Sequence, residues 1–334
     1  MVIVAGKGGV GKTTVSAALA RAAALAGFST LIVEVEGKSG LATLFGQPAF
    51  DYHEVVLSHG GGPTGAADVT ARTLTPDDAL LEYLEDHGMN RISKRLVTSG
   101  ALDMVATAAP GIKDILILGK VKQLEASRTH DLIVLDAPAA GHAISFLRSA
   151  RGLLDAVRVG PINAQARDVL DMLTDPARCQ VMLVTLPEET PVNELVETAY
   201  SLEDEVGISL GPVVVNGRYP EVAGMDRDPE EAAAEAGAHL HAGEAHALAA
   251  AARFRRSRMA LQTEQVQRLA DMLPLPQLHL PYLFDTDLGP AATDVLARAV
   301  LDGVAGMHQV PGVGAVAGAA PGVEDPGPGD GSAP

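Results

Sequence analysis

Short runs rich in β-branched residues alternate along the chain with longer stretches rich in Ala and Leu. This alternation is typical of βα units that stack into a mostly parallel sheet. It predicts strands at residues 2–5, 30–35, 131–136, 180–186, 212–216 and 277–281. The pattern therefore indicates an α/β fold in which helices cover both faces of a central sheet.

A long insertion separates the second predicted strand from the third. Within it, residues 59–65 (HGGGPTG) predict a loop, and residues 77–88 and 92–108 have the apolar spacing of amphipathic helices. Residues 221–272 are Ala-rich and charged, and they carry no strand signal. We expect one domain over residues 1–306, with helical insertions at about 75–108, 145–176 and 221–272.

The last part of the chain has a different composition. Residues 307–334 are rich in Pro, Gly and Ala and offer too little apolar surface to form a core. This tail is expected to be disordered and to lie outside the domain.

Composition and charge exclude several classes of protein. The chain has 334 residues, 47% of them hydrophobic, which is enough for a large core. Its 25 Lys and Arg stand against 42 Asp and Glu, giving a net charge of −17. Such a protein is a poor binder of phosphate backbones, so we expect no nucleic-acid partner.

Cysteine usage and hydropathy limit the cofactors and the location. The single cysteine, Cys179, excludes an intramolecular disulfide as well as a zinc or iron–sulfur site built from this chain's own thiols, and it is expected to be a buried apolar residue. No apolar run approaches the roughly 20 residues of a transmembrane segment. The chain also opens on the strand-like MVIVAG with no basic leader, so we expect a cytoplasmic protein.

The strongest motif is GKGGVGKTT, from Gly6 to Thr14. It contains the spacing G-x-x-x-x-G-K-[ST] of the Walker A phosphate-binding loop, and it lies between a predicted strand and a predicted helix, as the mechanism requires. Backbone N–H groups surround the phosphates, Lys12 reaches the β and γ phosphates, and the Thr13 hydroxyl binds Mg²⁺. The predicted phosphate-binding residues are Gly6, Gly8, Gly9, Val10, Gly11, Lys12, Thr13 and Thr14. The fold class is therefore a three-layer P-loop NTPase domain with helical insertions.

A second lysine, Lys7, narrows the class. K-G-G-x-G-K-[ST]-T resembles the deviant Walker A motif of MinD, ParA, nitrogenase iron protein and ArsA. In those relatives this lysine crosses a dimer interface and contacts the phosphates of the opposite subunit. The resemblance implies that Lys7 is catalytic in trans, like an arginine finger, and that the protein is a dimer. The alternative is that Lys7 is a solvated surface residue.

Later segments resemble one branch of that class. DAPAAGH, which begins at Asp136, is similar to the D-T-A-P-T-G-H switch II segment of the ArsA and tail-anchored-protein targeting ATPases, and residues 109–114 and 184–194 resemble further motifs of that family. The resemblance extends from residue 2 to about residue 300. It implies an ATPase that hydrolyses ATP with Mg²⁺, in which Asp136 holds the metal through water and Gly141 donates its N–H to the γ phosphate.

Two segments resemble the adenine-binding elements of the same family. Asn216 ends the strand-like VVVN, where the family has an adenine-reading Asn, and Pro281 and Tyr282 lie in the loop that covers the base. An Asn amide pairs with adenine through one donor and one acceptor. Alternatively, a strand-end Asn is a simple turn former.

Departures from the family pattern concern the switches. Glu36 stands where the family has an Asp that positions the attacking water, and Ala137 and Ala140 stand where it usually has threonines. The extra methylene of Glu36 moves the carboxylate by about 1 Å, a displacement that can cost about 10²-fold in rate. Hydrolysis is therefore expected to be slow. Alternatively, Glu36 only ends a strand.

Several functions remain open at this stage. The chain is expected to form a homodimer, or a heterodimer with a paralogous ATPase, and to act on an unidentified protein client or membrane partner. A weakly active regulatory subunit is the alternative. The net charge of −17 conflicts with a ParA-like role, and the Pro- and Gly-rich tail lacks the basic amphipathic helix of MinD. In the resembled family, a zinc clasp at the dimer interface and the capture of arsenite both use several cysteines. This chain has one cysteine and can form neither.

Two further sequence patterns could bind a ligand, but each has a simpler structural explanation. His239, His241 and His246 lie near Glu244 in a spacing that suits a transition metal, but histidines on a solvated, Ala-rich helix are the favoured explanation. The basic run at residues 253–258 (RFRRSR) is expected to form intramolecular ion pairs or a dimer contact rather than to bind nucleic acid or lipid.

Overall fold

A computed structural model describes residues 1–35, 40–61, 65–86, 111–138, 140–156, 158 and 160–308. Within these residues, eight strands form one sheet in the order β3-β4-β2-β5-β1-β6-β7-β8. Only β3 and β4 pair antiparallel; the other neighbours are parallel. The strands are β1 (Val2–Ala5), β2 (Thr30–Val35), β3 (Val55–Ser58), β4 (Val69–Leu74), β5 (Leu132–Asp136), β6 (Gln180–Thr185), β7 (Val213–Arg218) and β8 (Gln277–Pro281).

Helices cover both faces of the sheet. They are α1 (Lys12–Leu25), α2 (Gly40–Leu44), α3 (Pro76–Asp86), α4 (Ile112–Ser127), α5 (Ala140–Ala156), α6 (Pro161–Thr174), α7 (Glu189–Val206), α8 (Pro229–Glu235), α9 (Glu244–Met272) and α10 (Pro290–His308). One apolar core lies between the sheet and α4–α7 with the end of α9; the other lies between the sheet and α1, α2 and α10. The predicted three-layer α/β fold with a mostly parallel sheet is confirmed.

The central strand shows why this sequence becomes a buried sheet. Along β1, Ile3 and Ala5 face the core under α4–α7, whereas Val4 faces the core under α1. Successive side chains of a strand point to opposite faces, so a strand covered on both faces is apolar throughout. On the second face α1 presents small side chains, Ala17, Ala18 and Ala20 among them, which allow it to pack closely on the sheet.

The strands predicted from the sequence are all present, with ends that differ by at most two residues. The insertion was predicted without strands, and this was wrong: it contains β3 and β4, which extend one edge of the sheet. They were missed because VVLS is short and VTARTL includes a polar Arg72, which stacks on the ring of Tyr52. The predicted loop 59–65 lies between these strands, and its residues 62–64 lie outside the described residues.

The helical predictions differ in outcome. The helix predicted at 77–88 is present as α3, and the one predicted at 92–108 lies outside the described residues. The segment 221–272 contains two helices, α8 and α9, rather than continuous helix. The final helix, α10, continues to His308, two residues into the predicted tail, and residues 309–334 lie outside the described part of the chain.

Phe146 of α5 is one of the largest fully buried side chains among the described residues. Its side chain is 1% exposed within the core under α4–α7. Replacing Phe146 by Ala is expected to lower the free energy of unfolding by about 3–5 kcal/mol, because a large cavity is left in a packed core. Urea denaturation measures it. Phe254, which is 66% exposed, provides the matched control, and its replacement by Ala should change stability by less than about 0.5 kcal/mol.

Candidate nucleotide-binding site

The loop between β1 and α1 is fixed by its contact with the neighbouring strand β6. A Cβ atom on Gly6 would lie 2.5 Å from the carbonyl oxygen of Val184, so only glycine fits there. Farther along the loop, Gly9 and Gly11 adopt φ angles of 83° and 90°, which favour glycine. The loop therefore holds its backbone tightly against the carboxyl ends of β1 and β6, where ligands bind in open parallel sheets.

The two lysines of the loop have different surroundings. Lys12 is the first residue of α1, is 8% exposed, and donates from Nζ to the carbonyl oxygen of Lys7 at 3.0 Å. The side chain of Lys7 is instead 42% exposed, and its Nζ lies 3.2 Å from Oε1 of Glu194 in α7. The backbone of Lys7 thus positions one cation while its side chain projects a second to the surface.

Asp136, at the end of β5, connects the sheet to the start of α1. Thr13 Oγ1 donates to Asp136 Oδ2 at 2.7 Å, and Ser16 Oγ donates to Asp136 Oδ1 at 3.1 Å. Thr13 and Ser16 are three residues apart on one helix, so their hydroxyls lie on the same face. Ser16 was not predicted as a site residue, although this spacing is readable in the sequence. Thr13 and Asp136, both predicted to hold Mg²⁺, are thus hydrogen-bonded to each other.

The segment after β5 leads into α5. The N–H of Ala137 donates to the carbonyl oxygen of Val4 at 3.1 Å, and this extends the contact between β5 and β1. Ala140 and Gly141 are the first residues of α5, and N–H groups in a first helical turn have no acceptor within the helix. The backbone N–H of Gly141 therefore lies in a position that suits an anion.

The residue predicted to position the attacking water directly follows β2. Glu36 lies outside the described residues, so the position predicted for it stays a prediction. The sequence reasoning overlooked Glu34, which is buried, pairs in register with Asp136 across β2 and β5, and accepts a hydrogen bond from Thr73 Oγ1 at 3.3 Å. The sequence TLIVEV already shows this carboxylate, since Glu34 interrupts a mostly apolar strand that pairs with the strand of Asp136.

Asn216 of β7 contacts the phosphate-binding loop directly. Its Nδ2 donates to the carbonyl oxygen of Val10 at 2.9 Å, and a Cβ on Gly11 would lie 2.3 Å from the same nitrogen. An amide nitrogen has a second hydrogen, and the amide oxygen remains an acceptor, so this contact is compatible with reading a base. The side chain therefore supports the loop and is more than a turn former.

An exposed aromatic cluster lies at the ends of β7 and β8. Tyr282 follows Pro281, is 44% exposed, and its N–H donates to the Arg218 carbonyl at 2.7 Å. Its ring centroid lies 5.2 Å from that of Tyr219 and 4.8 Å from that of Phe284. The chain has five tyrosines, six phenylalanines and no tryptophan, so three rings in one exposed cluster are a marked concentration. Tyr219 and Phe284 were not predicted.

Cations border this cluster. The guanidinium of Arg255 in α9 lies 4.8 Å from the centroid of Phe284 and 5.6 Å from that of Tyr219, within cation–π distance. Arg218 lies 2.9 Å from Nδ1 of His279, and burial, together with the charge of Arg218, lowers the pKa of His279. The histidine is therefore neutral at pH 7, and Arg218 and Arg255 carry the positive charge beside the cluster.

The weaker sequence patterns have clear outcomes. Arg255 and Arg256 donate to backbone carbonyls, and Arg258 forms an ion pair with Glu188 at 3.0 Å, as the intramolecular interpretation predicts. His239, His241 and His246 are exposed, only His246 is helical, and among the described residues no group of three or more His, Cys, Asp or Glu is arranged to hold a metal.

Two further expectations from the sequence can be compared with the structure. Cys179 is buried, as predicted, and this burial raises the pKa of its thiol to about 12. No helix within the described ranges has the length and hydrophobicity needed to cross a membrane.

The fold and this loop define a P-loop nucleotide-binding protein, and comparison with known sequences identifies the family. The family model described as "Anion-transporting ATPase" matches residues 1–159. "ATPase BagA" of Mycobacterium tuberculosis H37Rv is 33% identical over 312 residues, which cover 86% of this chain and 88% of that protein. The chain therefore belongs to the ArsA family of anion-transporting ATPases. It is an ATPase, and its nucleotide is ATP.

More distant relatives carry other names. A "Putative arsenical pump-driving ATPase" of Halobacterium salinarum is 29% identical over 235 residues, or 65% of this chain and 35% of that protein. An "ATPase get3" of Schizosaccharomyces japonicus is 26% identical over 182 residues, or 52% and 53% of the two chains. The resemblance to the ArsA and targeting ATPases inferred from motifs is confirmed at the level of the family.

The close approach of Gly6 to Val184 can be tested by substitution. Gly6→Ala is expected to lower the free energy of unfolding by about 1–3 kcal/mol, because the added methyl group would overlap a strand carbonyl. At Gly8 an added Cβ would have no neighbour within 4 Å, so Gly8→Ala should change stability by less than about 0.5 kcal/mol. Urea denaturation without nucleotide compares the two. Equal effects would contradict the tight seating of the loop.

Proposed function

We propose that this ATPase hydrolyses ATP with Mg²⁺ in a site that a second subunit completes, and that the nucleotide state opens and closes the dimer around a client. The observation that carries the proposal is the convergence of Lys12, Thr13 and Asp136 at the carboxyl ends of β1 and β5. The client is an unidentified protein or membrane partner.

The phosphates would be held by backbone and cation together. The proposed ligands are the N–H groups of Gly6, Gly8, Gly9, Val10, Gly11, Lys12, Thr13 and Thr14, followed by the N-terminus of α1, whose partial positive charge favours anions. Lys12 Nζ, which now donates to the Lys7 carbonyl, would contact the β and γ phosphates. The N–H of Gly141 would contact the γ phosphate.

The donor set at Asp136 fits a magnesium ion. Mg²⁺ prefers oxygen ligands and keeps several waters, and a hydroxyl and a carboxylate 2.7 Å apart beside the phosphate loop provide such donors. Thr13 would bind the metal directly and Asp136 would hold it through water. The ion would neutralise charge on the transferred phosphoryl group. Ser16 keeps the Asp136 carboxylate in place through its own hydrogen bond.

The chemical step requires a positioned water and a cation near the leaving phosphate. We assign the water to Glu36, which directly follows β2, and expect slow turnover because its carboxylate is displaced by about 1 Å relative to an aspartate. Lys7 would supply the cation from the opposite subunit, where charge grows in the transition state. Its partly exposed side chain leaves it able to reach a neighbour.

Base recognition would use the end of β7 and the loop after β8. Asn216 lies against the phosphate loop, so the free hydrogen and the oxygen of its amide would read the edge of adenine. Pro281 and the exposed ring of Tyr282 would cover the base. Tyr219 and Phe284 support that ring through aromatic contacts.

The second candidate is a weakly active ATP-binding subunit that pairs with a paralogous ATPase. The observation in its favour is that Ala137 and Ala140 remove two hydroxyls from the second switch, and that the buried Ala137 is held against β1. Light scattering with and without ATP, alone and with a co-expressed paralogue, separates the two candidates. A homodimer with robust turnover would exclude the second.

Two lysine substitutions test the proposal. Lys12→Ala is expected to abolish ATP binding, and Lys7→Ala is expected to lower turnover by about 10³-fold while ATP still binds, because a cation supplied in trans acts on the transition state. Phosphate release and equilibrium binding measure the two effects. Exposed Lys113 provides the matched control, since Lys113→Ala should leave both unchanged. Undiminished turnover in Lys7→Ala or Lys12→Ala would overturn the mechanism.

Replacing Asn216 by Ala tests base reading separately from loop support. If the amide reads adenine, ATP affinity should fall by about tenfold more than GTP affinity, because the loss of the bond to Val10 weakens both nucleotides whereas the loss of base reading weakens ATP alone. Calorimetry with both nucleotides measures this. An equal loss for ATP and GTP would show that Asn216 acts only through its bond to Val10.

A further inference from the structure

Lys7 is held within its own subunit by a residue that no role yet described uses. Its Nζ lies 3.2 Å from Oε1 of Glu194, in the second turn of α7. Both side chains are partly exposed, at 42% and 33%, so solvent screens their attraction. The pair lines a small cleft between the phosphate loop and α7, together with Pro191, Leu195 and Thr198.

The position required for action in trans differs from this one. A lysine amine that contacts the phosphates of a second subunit must extend beyond the surface of its own chain, whereas Glu194 holds the amine against its own α7. The loop backbone need not change, because it is fixed by the contacts of Gly6 with β6 and of the Lys7 carbonyl with Lys12. Only the side chain of Lys7 has to move.

We propose that Glu194 is a positioning residue that competes in cis for the ammonium of Lys7, so that Lys7 is released only when a partner's nucleotide offers more negative charge. The inference rests on the proposed action of Lys7 in trans. A triphosphate carries more charge than one carboxylate, and an ion pair between exposed groups is weak. In ATP-bound dimers, the Lys7 ammonium would therefore leave Glu194 and contact the partner's phosphates. The loss of the γ phosphate would favour the return of Lys7 to Glu194.

The size of the effect follows from the exposure of the pair. An exposed ion pair shifts an equilibrium by about 1.4- to 5-fold, and two such pairs in a homodimer by about two- to 25-fold. Removing the charge of Glu194 should therefore tighten the ATP-dependent dimer by that factor. The mechanism also predicts that this effect disappears when Lys7 is absent.

The experiment is a double-mutant cycle on the full chain. Dimer dissociation constants are measured by analytical ultracentrifugation with a non-hydrolysable ATP analogue for the unsubstituted protein, Glu194→Gln, Lys7→Ala and the double variant. Glu194→Gln should tighten the dimer and have no effect in the Lys7→Ala background. Glu197→Gln, on an exposed position of the same helix, controls for the general loss of negative charge between two acidic subunits.

The possible outcomes distinguish a failure of this inference from a failure of the proposed action of Lys7 in trans. Equal effects of Glu194→Gln and Glu197→Gln, with turnover still lost in Lys7→Ala, would overturn the competition and leave the trans mechanism intact. A weaker dimer in Glu194→Gln would overturn it too, by showing that Glu194 orients Lys7 toward the partner. No nucleotide-dependent dimer of the unsubstituted protein, or full turnover in Lys7→Ala, would overturn both.

Discussion

The hydrogen bond between Thr13 and Asp136 is the constraint on which the site depends. It joins the first turn of α1 to the end of β5, two elements that are more than 100 residues apart in the sequence. Because Ser16 bonds the second carboxylate oxygen, both oxygens of Asp136 are directed toward α1, and the carboxylate cannot rotate without breaking one of them. A displacement of the end of β5 would therefore also displace the start of α1.

The features that could be predicted from the sequence are those encoded by consecutive residues. The loop, its glycines and its lysines follow one another directly, so their spacing alone specifies a phosphate site. The buried strands were found because β-branched runs are distinctive in composition. Ends of strands were misplaced by a residue or two because hydrogen bonding to a neighbouring strand, rather than local composition, determines where a strand stops.

What the sequence could not predict depends on contacts between distant residues. The edge strands β3 and β4 were missed because β4 is stabilised by pairing with β2 and β3 by pairing with β4, and neither a short VVLS nor a VTARTL that contains an Arg reveals this pairing. The contact of Asn216 with Val10 and the grouping of Tyr219 with Phe284 join separate elements that only the folded sheet brings together. Glu36, by contrast, was found through a family resemblance, and its geometry stays a prediction.

The buried thiol of Cys179 has a practical consequence for anyone who studies this ATPase. It is the only cysteine of the chain, it is 1% exposed, and burial holds it in the protonated form, which is a poor nucleophile. A fluorophore or spin label with a maleimide group would thus not react with Cys179 of the native protein. A single engineered surface cysteine would then carry the probe alone, and distances between two labelled copies could be followed through the nucleotide cycle without first removing any natural residue.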